Sequence, residues 1–460
     1  YRDQAGQKPL YYSLQNGNFA FSSEIKGLTA AGISLEACRD GLLIAGSLGY
    51  IPGRLTLYKD VYKLDAGEML IFKDGAISER AYYTSDTSRF TARPKEVMGE
   101  LVHEHLASKQ KVALNLSGGM DSSVLLHEMK TAGHELITYT TAFEGAGEAF
   151  NDDAVIARRL AKDYGTKHTE IMITKDIYLK NFTESYGLIE EPNYNVSLPA
   201  YLEVAKREGS NGDGNRVILS GDGGDELFGG YPYYAKALGY DSLMKTTGPT
   251  LFSLGRWIRA GTYFDYGNPV DRWLSFKHFD FGAFPRDVGF VSAYLNDIAK
   301  TRAIPLQDPV RSQMLLDRAF WMPGENFIRS DKLYMSQSLE MRSPFAYEPL
   351  RAYFDARLKT DDYTAGGGNK RFLRALYDGV LPDYVTKRTA KTGWRSPVRP
   401  WYDERFKELF LSILRNTPRG GIVNWNMLKQ EVEKKDSWPG KYFFLYLSLA
   451  ILSKKHNVIL

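Results

Sequence analysis

Three carboxylates, Asp121, Asp222 and Asp225, sit inside two short glycine-rich segments of the chain. One is Ser117-Gly118-Gly119-Met120-Asp121-Ser122; the other runs Ser220-Gly221-Asp222-Gly223-Gly224-Asp225-Glu226-Leu227-Phe228-Gly229-Gly230-Tyr231. Each follows an apolar run, Val112 to Leu116 or Val217 to Leu219. A buried strand that ends in Ser-Gly-Gly and turns into a helix offers backbone N–H groups and the positive end of a helix dipole, which together suit a phosphate chain. Glycine lets that backbone approach an anion with no Cβ in the way. A carboxylate beside a phosphate is repelled unless a cation lies between them, so Asp121 reads as a ligand of Mg2+. In a doubly wound sheet two such strand ends meet on one carboxyl edge. Asp225 then reads as a second ligand of the same Mg2+, and Asp222 is left over as a base or proton acceptor for a reacting group.

These segments are not the common nucleotide fingerprints. No Gly-Lys-Ser/Thr follows the first, as a Walker loop requires, and the third glycine of a dinucleotide fold is missing. The competing interpretation of the first is a plain strand-to-helix turn with a Ser cap. For the second it is a calcium loop, whose residue order is absent.

The elements that must hold these residues are legible on either side. Up to about residue 85, Leu10–Tyr12 and Phe19–Phe21 flank Asn16-Gly17-Asn18, and Met69–Phe72 and Ala76-Ile77 flank Lys73-Asp74-Gly75; both patterns predict hairpins. A helix is expected over Leu35–Leu48, enclosing a structural, buried Cys38. Residues 86–95 read as a linker. From 96 onward strands and helices alternate: helix Val97–Leu106, strand 112–116, a helix over Ser123–Met129, strand Leu136–Thr141, helix Val155–Tyr164 closed by Gly165, strand His168–Ile173, helix Tyr201–Glu208 and strand Val217–Leu219. Alternation of this kind predicts a parallel, doubly wound sheet. After 235 the chain is helical and aromatic, ending in a packed helix over Tyr442–Leu452, with Gly366-Gly367-Gly368 read as a mobile loop.

At 460 residues the chain is too long for one core. A net charge of +4 with no Lys/Arg block gives no footing for nucleic acid. A single cysteine excludes an intrachain disulfide and a Cys-based zinc site and suits a reducing, cytoplasmic setting. No apolar run reaches the ~18 residues of a membrane span, so no membrane partner is expected.

Taken together, the two glycine-rich segments resemble those of the glutamine-hydrolysing asparagine synthetase family. Arg2 to Tyr12, Ser23-Glu24-Ile25-Lys26 and Leu48 to Gly53 are similar to the later half of its glutaminase domain. Asp331-Lys332 through Phe345 resembles its helical-domain signature, and Lys391-Thr392-Gly393-Trp394 its Lys-x-Gly-Phe loop. The resemblance implies an α/β chain in two parts. Residues 1–85 would be a partial Ntn-type α+β, class II glutamine amidotransferase-like domain. Residues 96–460 would be a synthetase domain of the ATP pyrophosphatase, adenine nucleotide alpha hydrolase-like type, with a helical C-terminal part. It implies ATP and Mg2+, a small carboxylate acceptor, ammonia or glutamine as nitrogen donor, and passage through an acyl-adenylate with loss of pyrophosphate. Carried onto this sequence, Ser117, Gly118 and Gly119 would cradle pyrophosphate with Ser122, Ser220 and Gly221 beside them. Leu116 and Thr141 would contact adenosine, and Lys391 would neutralise charge developing on the phosphate or the tetrahedral intermediate. Glu340 and Arg342 read equally as site residues or as a structural ion pair. A homodimer is compatible with the sequence.

Two departures are visible. The family's glutaminase begins with a catalytic Cys, whereas this sequence opens at Tyr1 and has only the internal Cys38. The expectation is that the first half of that domain is missing from this sequence, or that nitrogen comes from elsewhere. In addition, Tyr347 and Asn195 stand where relatives usually carry Asp, which puts aspartate in doubt as the acceptor. The alternatives are an amidotransferase or cyclase acting on another carboxylate (a sugar acid, a peptide or a β-lactam precursor) or a degenerate nucleotide-binding protein.

Overall fold

Among the described residues of the computed structural model, ten strands follow one another along the chain: β1 (Tyr11–Gln15), β2 (Asn18–Ser22), β3 (Val61–Lys63), β4 (Glu68–Lys73), β5 (Ala76–Tyr82), β6 (Lys111–Asn115), β7 (Ile137–Phe143), β8 (Lys167–Ile173), β9 (Asn215–Leu219) and β10 (Glu340–Arg342). The structure describes residues 1–82, 91–212, 214–260, 264–278, 287–364, 369–388, 394–415, 417–418, 421–434 and 438–460. Lys391 and the Gly366–Gly368 segment, both singled out from the sequence, lie outside the described residues, as does the first half of the expected linker.

The early strands pair antiparallel, β2-β1-β3 in one sheet and β4-β5 in another. The first hairpin turns at Asn16-Gly17, both with positive φ, as its two-residue loop demands. The expected helix over Leu35–Leu48 is shorter, Arg39–Leu48. Ala37 instead bridges Tyr58 as extended chain. Cys38 is the N-cap, its Sγ accepting from the Gly41 N–H at 3.4 Å, and it is half-buried rather than buried. Burial still pushes its thiol pKa up.

The second sheet is wholly parallel, in the order β10-β9-β6-β7-β8. Its strands are short apolar runs because both faces are covered. Along β6, Val112 and Leu114 join one hydrophobic core, shared with Leu125 and Leu160. Ala113, between them, joins the other, shared with Phe182, Leu202 and Leu333. On β9, Val217 and Leu219 face the first core and Ile218 the second. This alternation sends helices to both faces, the doubly wound arrangement expected.

The chain leaves β6 in one direction, to β7 and β8, and returns on its other side to β9. The strand order therefore reverses between β6 and β9, and in open α/β sheets a crevice forms at such a point. Several elements were not expected from the sequence, among them helix Ile25–Ala30, strand β3, helix Lys175–Ile189, and β10, which joins the sheet from within the helical region. The terminal helix is Phe443–His456, buried for most of its length as expected.

Candidate active site at the sheet switch point

A cavity of about 420 Å³ opens at the carboxyl ends of β6, β7 and β9. Its lining includes Leu116, Ser117, Gly118, Gly119, Asp121, Ser122, Thr141, Ser220, Gly221, Asp222 and Asp225. Every described residue assigned to the site from sequence therefore meets at this one place.

The first turn is held by its own serines. Ser122 Oγ lies 3.0 Å from Ser117 Oγ and accepts from the Ser117 N–H at 3.2 Å, while the Gly119 N–H donates to Ser117 Oγ at 3.3 Å. Two of the three amides expected to cradle pyrophosphate thus have partners within the turn. Gly118 has φ +71°, and a Cβ there would stand 2.8 Å from Asp153 O. That glycine is required by the helix Glu148–Tyr164 packed behind it, not only by a ligand in front.

The glycines of the second turn make room for the first. A Cβ on Gly221 would lie 2.9 Å from Asp121 Cβ, and one on Gly224 would lie 3.1 Å from it. Gly223 has φ +93°, and a Cβ there would stand 3.0 Å from the backbone nitrogen of Ala346. The close approach expected between backbone and anion is therefore also an approach of one turn to the other, and it brings Asp121 and Asp225 together.

The ammonium of Lys370 lies between those two carboxylates. Its Nζ is bonded to Asp121 Oδ2 and stands 2.7 Å from Asp225 Oδ1, with the lysine side chain only 5% exposed. Burial alone would lower the Lys370 pKa, but the two carboxylates outweigh it and hold the pKa above the ordinary value. Two hard oxygen donors converging on one cation fit Mg2+ shared with phosphate oxygens. Among the described residues no group of three or more His, Cys, Asp or Glu could hold a metal by protein ligands alone. Any Mg2+ here would complete its shell with oxygens other than these carboxylates, such as waters or nucleotide phosphates.

Asp222 is not loose. Its Oδ2 accepts from Ser220 Oγ at 2.9 Å and its Oδ1 from Asn326 Nδ2 at 3.4 Å. Asn326 ends the wide-turned π-helical stretch Asp317–Asn326, which contains Pro323 and brings Trp321 to the cavity. Arg329 reaches the cavity from the following helix, Phe327–Met335. Its guanidinium is 4.2 Å from the Tyr201 ring centre, and Trp394 meets Tyr201 edge-on at 4.2 Å.

Sequence reasoning missed Lys370, Asn326 and Arg329. Lys370 is 145 residues beyond Asp225, and its only local signal is the glycine run just before it. Of the two positions where an acid was expected, Asn195 lines the cavity, whereas Tyr347 packs edge-on against His105 at 4.8 Å. Glu340 and Arg342 form an ion pair at 2.9 Å on β10 and do not line the cavity.

A family model described as asparagine synthase matches residues 94–453, and one described as a glutamine amidotransferase domain matches residues 1–83. The glutamine-hydrolyzing asparagine synthetase 1 of Bacillus subtilis is 26% identical over 465 residues, covering 94% of this chain and 71% of that protein. A putative glutamine-hydrolyzing asparagine synthetase of Mycobacterium tuberculosis is 27% identical, covering 87% of this chain and 65% of its own. The chain thus spans about two thirds of the length of these relatives. Among solved structures, an NH3-dependent NAD synthetase from Campylobacter jejuni aligns at 19% identity and a TM-score of 0.24, covering 51% of this chain and 94% of its own. No helix among the described residues is long and apolar enough to cross a membrane.

Proposed function

The chain belongs to the asparagine synthase family, and from that premise we propose that it is an ATP-dependent carbon–nitrogen ligase. In this reading one carboxylate oxygen of the acceptor attacks the α-phosphorus of ATP. A P–O bond forms, the bond to the bridging oxygen breaks, and pyrophosphate leaves. The nitrogen of ammonia then attacks the acyl carbon, AMP departs with the C–O bond electrons, and the amine proton passes to Asp222. Asparagine synthesis is the default assignment, with glutamine or free ammonia as nitrogen source.

The convergence of Asp121 and Asp225, from two different strand ends, on one cation position carries this proposal. Mg2+ bound there would neutralise the triphosphate. The chain's own contribution is orientation. Leu116 and Thr141 flank the base and sugar end, and the Ser117–Gly119 turn and Ser220-Gly221 bracket the phosphates. With Mg2+ between Asp121 and Asp225, the Lys370 ammonium would give up that place and turn its positive charge to the pyrophosphate as negative charge grows there, and Lys391 is proposed to add a second. Asp222, oriented by Ser220 and Asn326, holds its acceptor oxygen toward the incoming nitrogen. Residues 1–85 are proposed as the amidotransferase portion and 96–460 as the synthetase.

Incubation with ATP, Mg2+, ammonium and L-aspartate tests this directly. AMP, pyrophosphate and asparagine in equal amounts support it. ADP and orthophosphate, or an intact nucleotide with every carboxylate offered, exclude it.

A further inference from the structure

Asn115 is a polar residue at the end of an otherwise apolar strand. It closes β6, pairs with Tyr139 on β7, and lines the cavity together with Tyr139, Thr140, Thr141 and Val204. The next residue is Leu116, so Asn115 stands at the part of the cavity assigned above to the base and sugar.

Its amide is held from behind. Asn115 Nδ2 donates to the Tyr334 hydroxyl at 2.8 Å, and that hydroxyl donates to Glu208 Oε1 at 3.3 Å. Tyr334 is 0% exposed and Glu208 1%, so bulk water does not compete for either group. A phenol carries one hydrogen. With that hydrogen given to Glu208, the phenol oxygen only accepts, and Asn115 must turn its nitrogen toward it.

The consequence appears on the cavity wall. Asn115 Oδ1 makes no hydrogen bond among the described residues. The hydroxyl next to it is already committed: Tyr139 Oη donates to Asn215 Oδ1 at 3.2 Å and accepts from Asn211 Nδ2 at 3.1 Å. An amide that could otherwise face either way is thus fixed as an acceptor. A fixed acceptor discriminates between purines. The 6-amino group of adenine donates to it, whereas a 6-oxo group sets lone pairs against lone pairs and leaves both oxygens unanswered.

We propose that Asn115 selects the nucleobase, accepting from the 6-amino group of adenine and rejecting a 6-oxo purine, while Tyr334 and Glu208 act as positioning residues that keep its amide from turning over. This rests on the ligase reading above only for the presence of a nucleotide in the cavity.

Isothermal titration of the Mg2+-loaded protein with ATP and with inosine triphosphate, in the absence of acceptor and ammonia, tests the selection without turnover. The parent is expected to bind ATP at least ~10-fold more tightly than inosine triphosphate. Asn115→Leu removes the acceptor and should bring the ratio to within ~3-fold of unity. Tyr334→Phe keeps the ring and frees the amide to turn, so inosine triphosphate should bind more tightly and ATP more weakly than in the parent. A merely structural loosening would weaken both. Equal binding of the two nucleotides by the parent, or a preference that survives Asn115→Leu, overturns the proposal and leaves the ligase reading standing. Should Tyr334→Phe not fold, Asn115→Leu decides. Binding of neither nucleotide by the parent overturns both. A preference lost in Asn115→Leu, in a protein that forms no AMP from any carboxylate, would keep the base selection and discard the ligase reading.

Discussion

Gly221 runs so close to Asp121 that a Cβ on residue 221 would stand 2.9 Å from the Cβ of Asp121. The second glycine-rich turn is therefore shaped by the first, and a methyl group at 221 acts on a carboxylate that is distant in sequence. Gly221→Ala is expected to displace Asp121 and lower the rate of pyrophosphate release by ~10–100-fold, with a stability loss of about 1–3 kcal/mol from overpacking. A stopped pyrophosphate assay beside a denaturant melt reads both. An unchanged rate would show that the turns slide apart at no cost.

Asp121→Ala removes a carboxylate that Lys370 shares with Asp225. Pyrophosphate release should fall by at least ~100-fold while the circular dichroism spectrum stays that of the parent. Full activity in a folded variant would remove Asp121 from the cation site.

Lys370→Met leaves Asp121 and Asp225 facing each other with no ammonium between them. Like charges at this range raise the apparent pKa of one of the pair and destabilise the fold by ~1–3 kcal/mol at neutral pH. Mg2+ can replace the lost charge, so the melting temperature of the variant should rise with added Mg2+ more steeply than that of the parent. Equal slopes for the two proteins would argue against a shared cation position.

Glu190 is a buried junction. It has φ +59°, accepts the N–H groups of Ile25 and Lys26 at 2.9 and 3.0 Å, and pairs with Lys332 at 2.7 Å. Burial alone would raise its carboxyl pKa, but Lys332 outweighs this and holds it below the ordinary value. Glu190→Gln leaves the Lys332 ammonium buried without its counter-charge and should cost about 3 kcal/mol in urea melts. Because the folded pKa is depressed, this stabilisation is full above the unfolded carboxyl value and fades as pH falls through the folded one. The gap between parent and variant should therefore close in acid.

His456 packs edge-on against Tyr58 at 5.4 Å, and burial lowers its pKa from 6.5 to about 4. The unfolded chain takes up a proton at this position below pH 6.5 that the folded chain refuses until about pH 4. Stability therefore falls as pH drops through that window, by ~1–2 kcal/mol once partial exposure is discounted. His456→Gln should flatten the fall in a pH series of thermal melts.

What the sequence revealed of this molecule was what neighbouring residues decide. Asn16-Gly17 specifies a hairpin because few residues tolerate two consecutive positive φ angles. Gly165 stops a helix for the same reason, at φ +68°. Val112–Leu116 and Val217–Leu219 are apolar on both faces, which only a covered parallel strand explains. Glu340-Met341-Arg342 carries no such mark: it is a strand only because β9 offers an edge there. Cys38 was placed inside a helix because Leu35 and Ala37 fit the helical period, whereas pairing of Ala37 with Tyr58 won. Within the site, Asp121, Asp222 and Asp225 were legible because glycines announce them. Lys370 caps the helix Arg371–Leu376 in a left-handed conformation and Arg329 lies within a helix, and in neither place does the local sequence say anything of the partner they meet.

The late arrival of β10 also bears on how the chain is made. At residue 219, when β9 ends, the sheet has four of its five strands, and the edge that β10 will cover is bare for another 120 residues of synthesis. At the ~5–20 residues per second of translation, that edge stands open on the ribosome for several seconds to tens of seconds. It presents unpaired N–H and C=O groups beside Ile218, the kind of surface that recruits chaperones or mispairs with another nascent chain.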